Sequence, residues 1–303
     1  MITIVSNDAG GAEILSSWIL TQDEPYNLVL SGPAVNIFQK KVGVIKCTPL
    51  ESAIVDADWL LSGTSRDSNL EIDAIKLARK HKKKSVTFLD HWCNYDQRFI
   101  RDGIKTLPDE IWVGDETAFH IAKVEFPKTP ILLKSNPFFD SIKKEIAFQK
   151  ETQKNNLQEP YILYVCTPLN DHALEKYGDV RYWGYTEEEA IRYFINNIHA
   201  IDPSIKKIIL RPHPSEEKNK YDWVIDEYRS IVTIGGDNEL LEEIIGAEII
   251  AGCNSMAMVI GLFANKRVIN ALPPGFRTNS LPMPEIELLQ NLVDEYNASK
   301  DLS

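Results

Sequence analysis

Ile2-Thr3-Ile4-Val5-Ser6-Asn7-Asp8-Ala9-Gly10-Gly11-Ala12-Glu13 decides the fold class. A five-residue run dominated by β-branched side chains, closed by Asn-Asp and paired glycines, reads as a buried strand. The chain then turns into a helix expected from Ala12 to Leu20. The same alternation continues outward from this unit. Tyr26–Ser31 and Trp59–Ser62 read as strands, helix Leu70–His81 leads into strand Ser85–Leu89, and Ile111–Val113 precedes a helix capped by Asp115. Short strands separated by helices predict an α/β fold with a parallel, doubly wound sheet.

The pattern restarts after a polar stretch. Residues 144–160 contain few apolar side chains and end at Pro160, so they are expected to be an exposed helix end and a linker. Tyr161–Cys166 then reads as a strand, Thr186–Ala200 as a helix with capping-box spacing, and Lys207–Leu210 as a strand. Ile231–Ile234, Glu239–Ile245, Glu248–Ala251, Ser255–Phe263 and Arg267–Ile269 continue the alternation. The expected organisation is a Rossmann-like domain at 1–143, a linker at 144–160 and a second Rossmann-like domain at 161–283. A helix over about 284–298, within a final segment 284–303, is expected to fold back on the first domain. In such a pair of domains the ligand lies in the cleft they face, beyond the carboxyl ends of the strands.

Composition limits the function. The 303 residues include 33 Lys and Arg against 44 Asp and Glu, a formal charge of −11. Such a surface repels polyphosphate, so nucleic acid is not an expected partner. Cys47, Cys93, Cys166 and Cys253 lack CxxC spacing, so neither a disulfide framework nor a zinc site is expected. No metal or other cofactor is expected. No run approaches the ~18 apolar residues of a membrane span, and the first residues read as a strand instead of a signal peptide. A cytoplasmic protein is therefore expected. The one compact basic run, Lys82-Lys83-Lys84, suits the end of a helix, with contact to an anionic membrane surface or acceptor as the other reading. Peripheral membrane association and a homo-oligomer both stay open.

Four segments could carry chemistry. Asn7, Gly10 and Gly11 are expected to line a cleft, and Asp8 is either a general base or a helix cap. Asp90, His91 and Trp92, just after a strand, crowd polar and aromatic groups where burial needs hydrogen-bond partners, so they also read as cleft-lining. Asp90 and His91 are further candidates for the base. In Arg211-Pro212-His213-Pro214 two prolines stiffen a loop that presents a cation and an imidazole, which suits a phosphate. In Gly252-Cys253-Asn254-Ser255-Met256 a strand ends at a glycine and Ser255 caps a helix whose N-terminus favours an anion.

Together these segments resemble GT-B glycosyltransferases, and more narrowly the bacterial sialyltransferase-like and polysialyltransferase-like enzymes of capsule and lipooligosaccharide synthesis. There a His-Pro motif and a later serine motif hold the phosphate and ribose of a CMP-sugar. His213 and Pro214 match the first and Ser255 the second. Val113-Gly114-Asp115 and the run from Ser135 through Asn136 and Pro137 to Asp140 resemble the end of a GT-B first domain. Asn7-Asp8-Ala9-Gly10 matches the family's acidic motif only loosely. The resemblance implies a metal-independent glycosyltransferase moving a sugar from a nucleotide-activated, CMP-linked donor to a surface-glycan or glycolipid acceptor. Arg211, His213, Pro214, Asn254, Ser255 and Met256 would hold the donor. A sugar epimerase, a polyol-phosphate transferase and a non-catalytic nucleotide-sugar-binding protein are the alternatives on the same fold.

Overall fold

A computed structural model describes residues 1–152 and 159–301 of the chain. By their contacts the residues fall into two units, Met1–Ile142 and Lys143 onward. The first contains strands β1 (Ile2–Ser6), β2 (Tyr26–Leu30), β3 (Trp59–Ser62), β4 (Lys84–Phe88), β5 (Ile100–Arg101), β6 (Ile104–Lys105), β7 (Glu110–Val113) and β8 (Ile131–Leu133). Its helices are α1 (Ala9–Ile19), α2 (Pro33–Val42), α3 (Leu50–Asp56), α4 (Leu70–Lys80), α5 (Tyr95–Arg98), α6 (Glu116–Glu125) and the start of α7 (Pro137–Thr152). Six strands form one parallel sheet in the order β2-β1-β3-β4-β7-β8, with Ile4 in register with Leu28 on one side and Leu61 on the other. Every residue of β1 is buried, as a central strand covered by helices on both faces demands. Ile4, Leu15, Phe38, Leu61 and Phe88 belong to its core.

The second unit carries β9 (Ile162–Val165), β10 (Ile208–Arg211), β11 (Val232–Ile234), β12 (Ile249–Gly252), β13 (Arg267–Asn270) and β14 (Ile286–Leu288). Between and after them run α8 (Leu169–Tyr177), α9 (Glu187–Asn196), α10 (Ile198–Ile201), α11 (Asp222–Tyr228), α12 (Leu240–Gly246), α13 (Met256–Phe263) and α14 (Leu289–Asp301). This sheet is also parallel, but its order is β11-β10-β9-β12-β13-β14. The chain reverses direction across the sheet between β1 and β3 in the first unit and between β9 and β12 in the second. Ligands of open α/β sheets bind at such reversals, beyond the carboxyl ends of the strands.

The expected class holds: two Rossmann-like α/β units, each with a six-stranded parallel sheet. The capping box at the start of α9 forms, with Thr186 Oγ accepting from the Glu189 N–H and the Glu189 carboxylate accepting from the Thr186 N–H. Its apolar stripe Ala190, Ile191 and Phe194 packs in the core. Several boundaries differ. Residues 144–152 are the second half of a continuous helix, the expected helix end being longer than a last turn, and residues 153–158 of the expected linker lie outside the described residues. Helix α1 starts at Ala9, so Gly10 and Gly11 sit in its first turn instead of a preceding loop. The last helix starts at Leu289, because Ile286–Leu288 pairs in parallel with β13. It packs against α10 of the second unit, where Tyr296 meets His199 edge to face. No described helix is long and apolar enough to cross a membrane.

Candidate functional site

At the β1/β3 junction three loops converge. Asp8 holds the N-cap position of α1 in extended backbone, yet its side chain makes no capping hydrogen bond. Its Oδ1 instead accepts from Ser65 Oγ at 2.8 Å and from the Asn7 amide at 2.7 Å, while Asn7 Oδ1 accepts from Ser31 Oγ. The adjacent Thr64 hydroxyl donates to Asp90 Oδ1 at 3.0 Å, so neighbouring residues of one loop each hold one carboxylate. Asp90 also accepts from Arg98 at 2.6 Å, both side chains being about nine-tenths buried. Gly10 explains itself here: a Cβ on it would lie 2.0 Å from Asp90 Oδ2, and one on Gly11 would press the Gly63 Cα at 3.1 Å. Glycine lets this helix start approach the two loops.

Glu71, in the first turn of α4, is only 3% exposed and closes the back of the site. Its Oε1 accepts from the Asn7 backbone N–H at 2.7 Å, and its Oε2 is buried with no hydrogen-bond partner among the described residues. Loss of solvation, with the Asp8 charge adding to it, pushes this carboxyl up to about 7. A carboxyl whose affinity for a proton rises on folding stabilises the fold below its unfolded range near 4.5, and that contribution disappears as pH climbs through 7. Glu71→Gln, which retains an acceptor for Asn7, should therefore match the wild type near pH 4.5. By pH 8 it should be the more stable by about 3 kcal/mol. Urea unfolding across that range checks the crossing, and parallel curves would refute it.

His91 and Trp92 follow Asp90 in the same loop. Asp90 is committed to Arg98 and Thr64, so the His91 tautomer is set by the Trp92 backbone N–H, which donates to His91 Nδ1 at 2.9 Å. A neutral ring then carries its proton on Nε2. Burial, opposed by the Asp90 charge, holds His91 below the usual histidine range, and burial raises the Cys93 thiol beside it. The Cys93–His91 contact at 3.4 Å is therefore a neutral pair, not an activated thiolate. Trp92 does not line a cleft. It is 5% exposed, donates Nε1–H to Asp115 at 2.9 Å and stacks on Phe139.

In the second unit the loops after β9, β10 and β12 lie side by side at the reversal. Thr167 bridges two of them by donating to the Cys253 carbonyl at 3.4 Å. Arg211 departs from expectation: it ends β10 and ion-pairs with the buried Glu243 at 2.7 Å while donating to the Asn238 carbonyl. That partnership balances the Arg211 charge within the protein. His213 itself is exposed, and its Nδ1 accepts from the Ser215 N–H at 3.2 Å, which leaves Nε2–H as the outward donor. Its own N–H is held by Glu216, whose side chain is fully buried against Lys220 and Tyr221. Pro214 completes the loop on its exposed side.

Ser255 caps α13, its Oγ accepting from the Ala257 N–H at 3.3 Å, and its hydroxyl hydrogen stays free to donate. Met256 follows it, partly exposed in the first turn. Asn254 adopts the left-handed conformation, φ 54°, and its amide is spent internally. Its Oδ1 accepts from Asn270 and from the Ser280 N–H, and its Nδ2 donates to the Thr278 carbonyl. These bonds fix the loop that leads into α13. Two larger grooves, of about 440 and 580 Å³, flank Lys207 and include none of His213, Asn254 or Ser255. Among the described residues no group of three or more His, Cys, Asp or Glu side chains could hold a metal ion.

Thr64, Ser65, Glu71 and Arg98 were not among the expected site residues. Each is an ordinary polar side chain in an unremarkable run, and only the strand order brings the loop after β3 beside the loop after β1.

No family model matches the chain, and no curated protein matches it. Solved structures do. The UDP-GlcNAc 2-epimerase of Methanocaldococcus jannaschii superposes with a TM-score of 0.64 at 13% identity, over 98% of this chain and 91% of the other. The same enzyme in complex with UDP-GlcNAc and UDP gives 0.62 at 14%, covering 98% and 92%. S. aureus MnaA with UDP gives 0.59 at 12%, covering 99% and 87%. At such identities the likeness establishes the fold: this chain has the two-unit α/β architecture of the GT-B class.

Proposed function

We propose that this chain is a nucleotide-sugar-dependent enzyme, specifically a metal-independent glycosyltransferase with Asp8 as its general base. The state of Asp8 carries the reading. One carboxylate oxygen is fixed by two donors and no helix-cap bond occupies the group, so an oriented oxygen is left to take a proton. Asp90 is the poorer candidate because Arg98 and Thr64 already hold its charge. His213, through Nε2–H, and the Ser255 hydroxyl at the start of α13 would hold the donor's phosphate and stabilise the charge that develops on it as the sugar departs. CMP-linked donors are favoured by the His213-Pro214 and Ser255 resemblance, and a surface glycan or glycolipid in the cytoplasm is the proposed acceptor.

A panel of CMP-, UDP- and GDP-linked sugars read by thermal shift tests the donor class. At a hundredfold excess over Kd the bound nucleotide should stabilise the protein by about 2.7 kcal/mol. His213→Ala should remove most of that gain, and an undiminished gain would move the phosphate elsewhere. Binding and turnover should both survive EDTA, since no clustered metal ligands occur among the described residues. Loss that added magnesium restores would refute metal independence.

Epimerisation is the second reading. It is favoured by the two carboxylates, Asp8 and Asp90, that Ser65 and Thr64 hold at one junction, an arrangement suited to removing and returning a proton. Solvent deuterium found on carbon in the recovered nucleotide sugar would establish it. Transfer or hydrolysis without such exchange would sink it.

A further inference from the structure

We propose that Glu71 is a positioning residue for the Asp8 loop, anchoring the Asn7 peptide more tightly once its carboxyl group is ionised. The functional meaning of this rests on Asp8 being the base, but the anchoring itself does not. Three observations carry it. The Glu71 side chain is enclosed at 3% exposure, one oxygen takes the backbone N–H of the residue before Asp8 at 2.7 Å, and the other oxygen has no partner among the described residues. A buried carboxyl left half-satisfied costs stability, and a glutamine in the same place would accept the same hydrogen bond without a charge to bury. What the carboxylate offers beyond glutamine is a charge-assisted bond, shorter and about twice as strong as a neutral one.

The bond joins a network already centred on Asn7, whose carbonyl also accepts from the Ala34 N–H at 3.1 Å. Asn7 is the hub: its N–H goes to Glu71, its side-chain oxygen takes Ser31 and its amide orients Asp8. Tightening the Asn7 peptide therefore narrows the range of positions open to the Asp8 carboxylate. The charged groups that bear on Glu71 from its surroundings are Asp8, which opposes its ionisation, and Arg101 of β5, which favours it. Arg101 is itself bonded to the Ser65 and Ser68 carbonyls, so it stays in place while Glu71 titrates. With burial dominating, the ionisation falls near neutral pH.

Backbone amide NMR of the full chain across pH 5.5 to 8.5 tests the proposal, with Asn7 and Asp8 assigned in the wild type and in Glu71→Gln. The Asn7 amide proton should move downfield through the neutral range in the wild type and stay flat in the variant, and its protection factor, the intrinsic exchange rate at each pH over the observed rate, should rise only in the wild type. A flat Asn7 signal in the wild type overturns the proposal. A titration that persists in Glu71→Gln assigns it to another group and also overturns it. With a donor in hand, the variant should keep KM and lose the rise of kcat through neutrality. If no donor is ever turned over, the transferase reading fails while the Asn7 titration still decides the role of Glu71.

Discussion

Asp8→Asn should leave nucleotide binding near wild type and lower transfer or donor hydrolysis by about 10²–10⁴-fold, the usual contribution of a general base. The substitution keeps size and hydrogen-bonding reach, so Ser65 can still donate to the remaining side-chain oxygen. The expected loss of fold stability is small, because the wild-type side chain makes no capping bond to α1 that could be forfeited. A loss confined to kcat, with KM unchanged, marks a group that acts in the transition state. Asp90→Asn is the informative contrast. Removing the charge that Arg98 holds should weaken the fold as much as the chemistry, so its loss of activity should track its loss of folded protein. Wild-type turnover in Asp8→Asn would displace the base from this position. Unfolding of Asp8→Asn would return it to a structural role.

Arg98→Ala should cost about 3–5 kcal/mol of stability, measured by urea unfolding at neutral pH. The guanidinium and the Asp90 carboxylate are each about nine-tenths buried and meet at 2.6 Å. Removing one partner strands the other charge in a site largely shielded from water. Arg98 also donates to the Thr64 hydroxyl, which itself donates to Asp90, so the loss spreads to the loop that holds both carboxylates. The double variant Arg98→Ala with Asp90→Ala should be more stable than the sum of the two single losses predicts, since no unpaired charge is left behind. Strict additivity would show that the pair contributes nothing as a pair.

The sequence by itself determined the class and the repeat of the architecture. β-branched runs such as Ile2–Ser6, closed by turn residues and followed by amphipathic helices, have one stable arrangement: a parallel sheet covered on both faces. Asp8, Asp90 and the His213 loop stood out for the same local reason, since each follows an apolar strand, and the structure places each in a loop or helix start just after such a strand. Local pattern also misled at predictable places. The glycines at 10 and 11 suggested a loop, but they serve a helix start that must admit Asp90 and Gly63. Arg211 looked free beside His213 until Glu243, more than thirty residues away, proved to be its partner.

Only the tertiary structure decided which loops meet. The first sheet reverses between β1 and β3, the second between β9 and β12, and their strand orders differ although their sequence patterns are alike. Order depends on which face each connecting helix covers, a choice made by packing over the whole sheet and not by any one segment's periodicity. Hence Ser65, Thr64, Glu71 and Arg98 acquire their roles only in three dimensions. Their importance lies in where Asp8, Asn7 and Asp90 are brought, and nothing in the residues flanking them records that meeting.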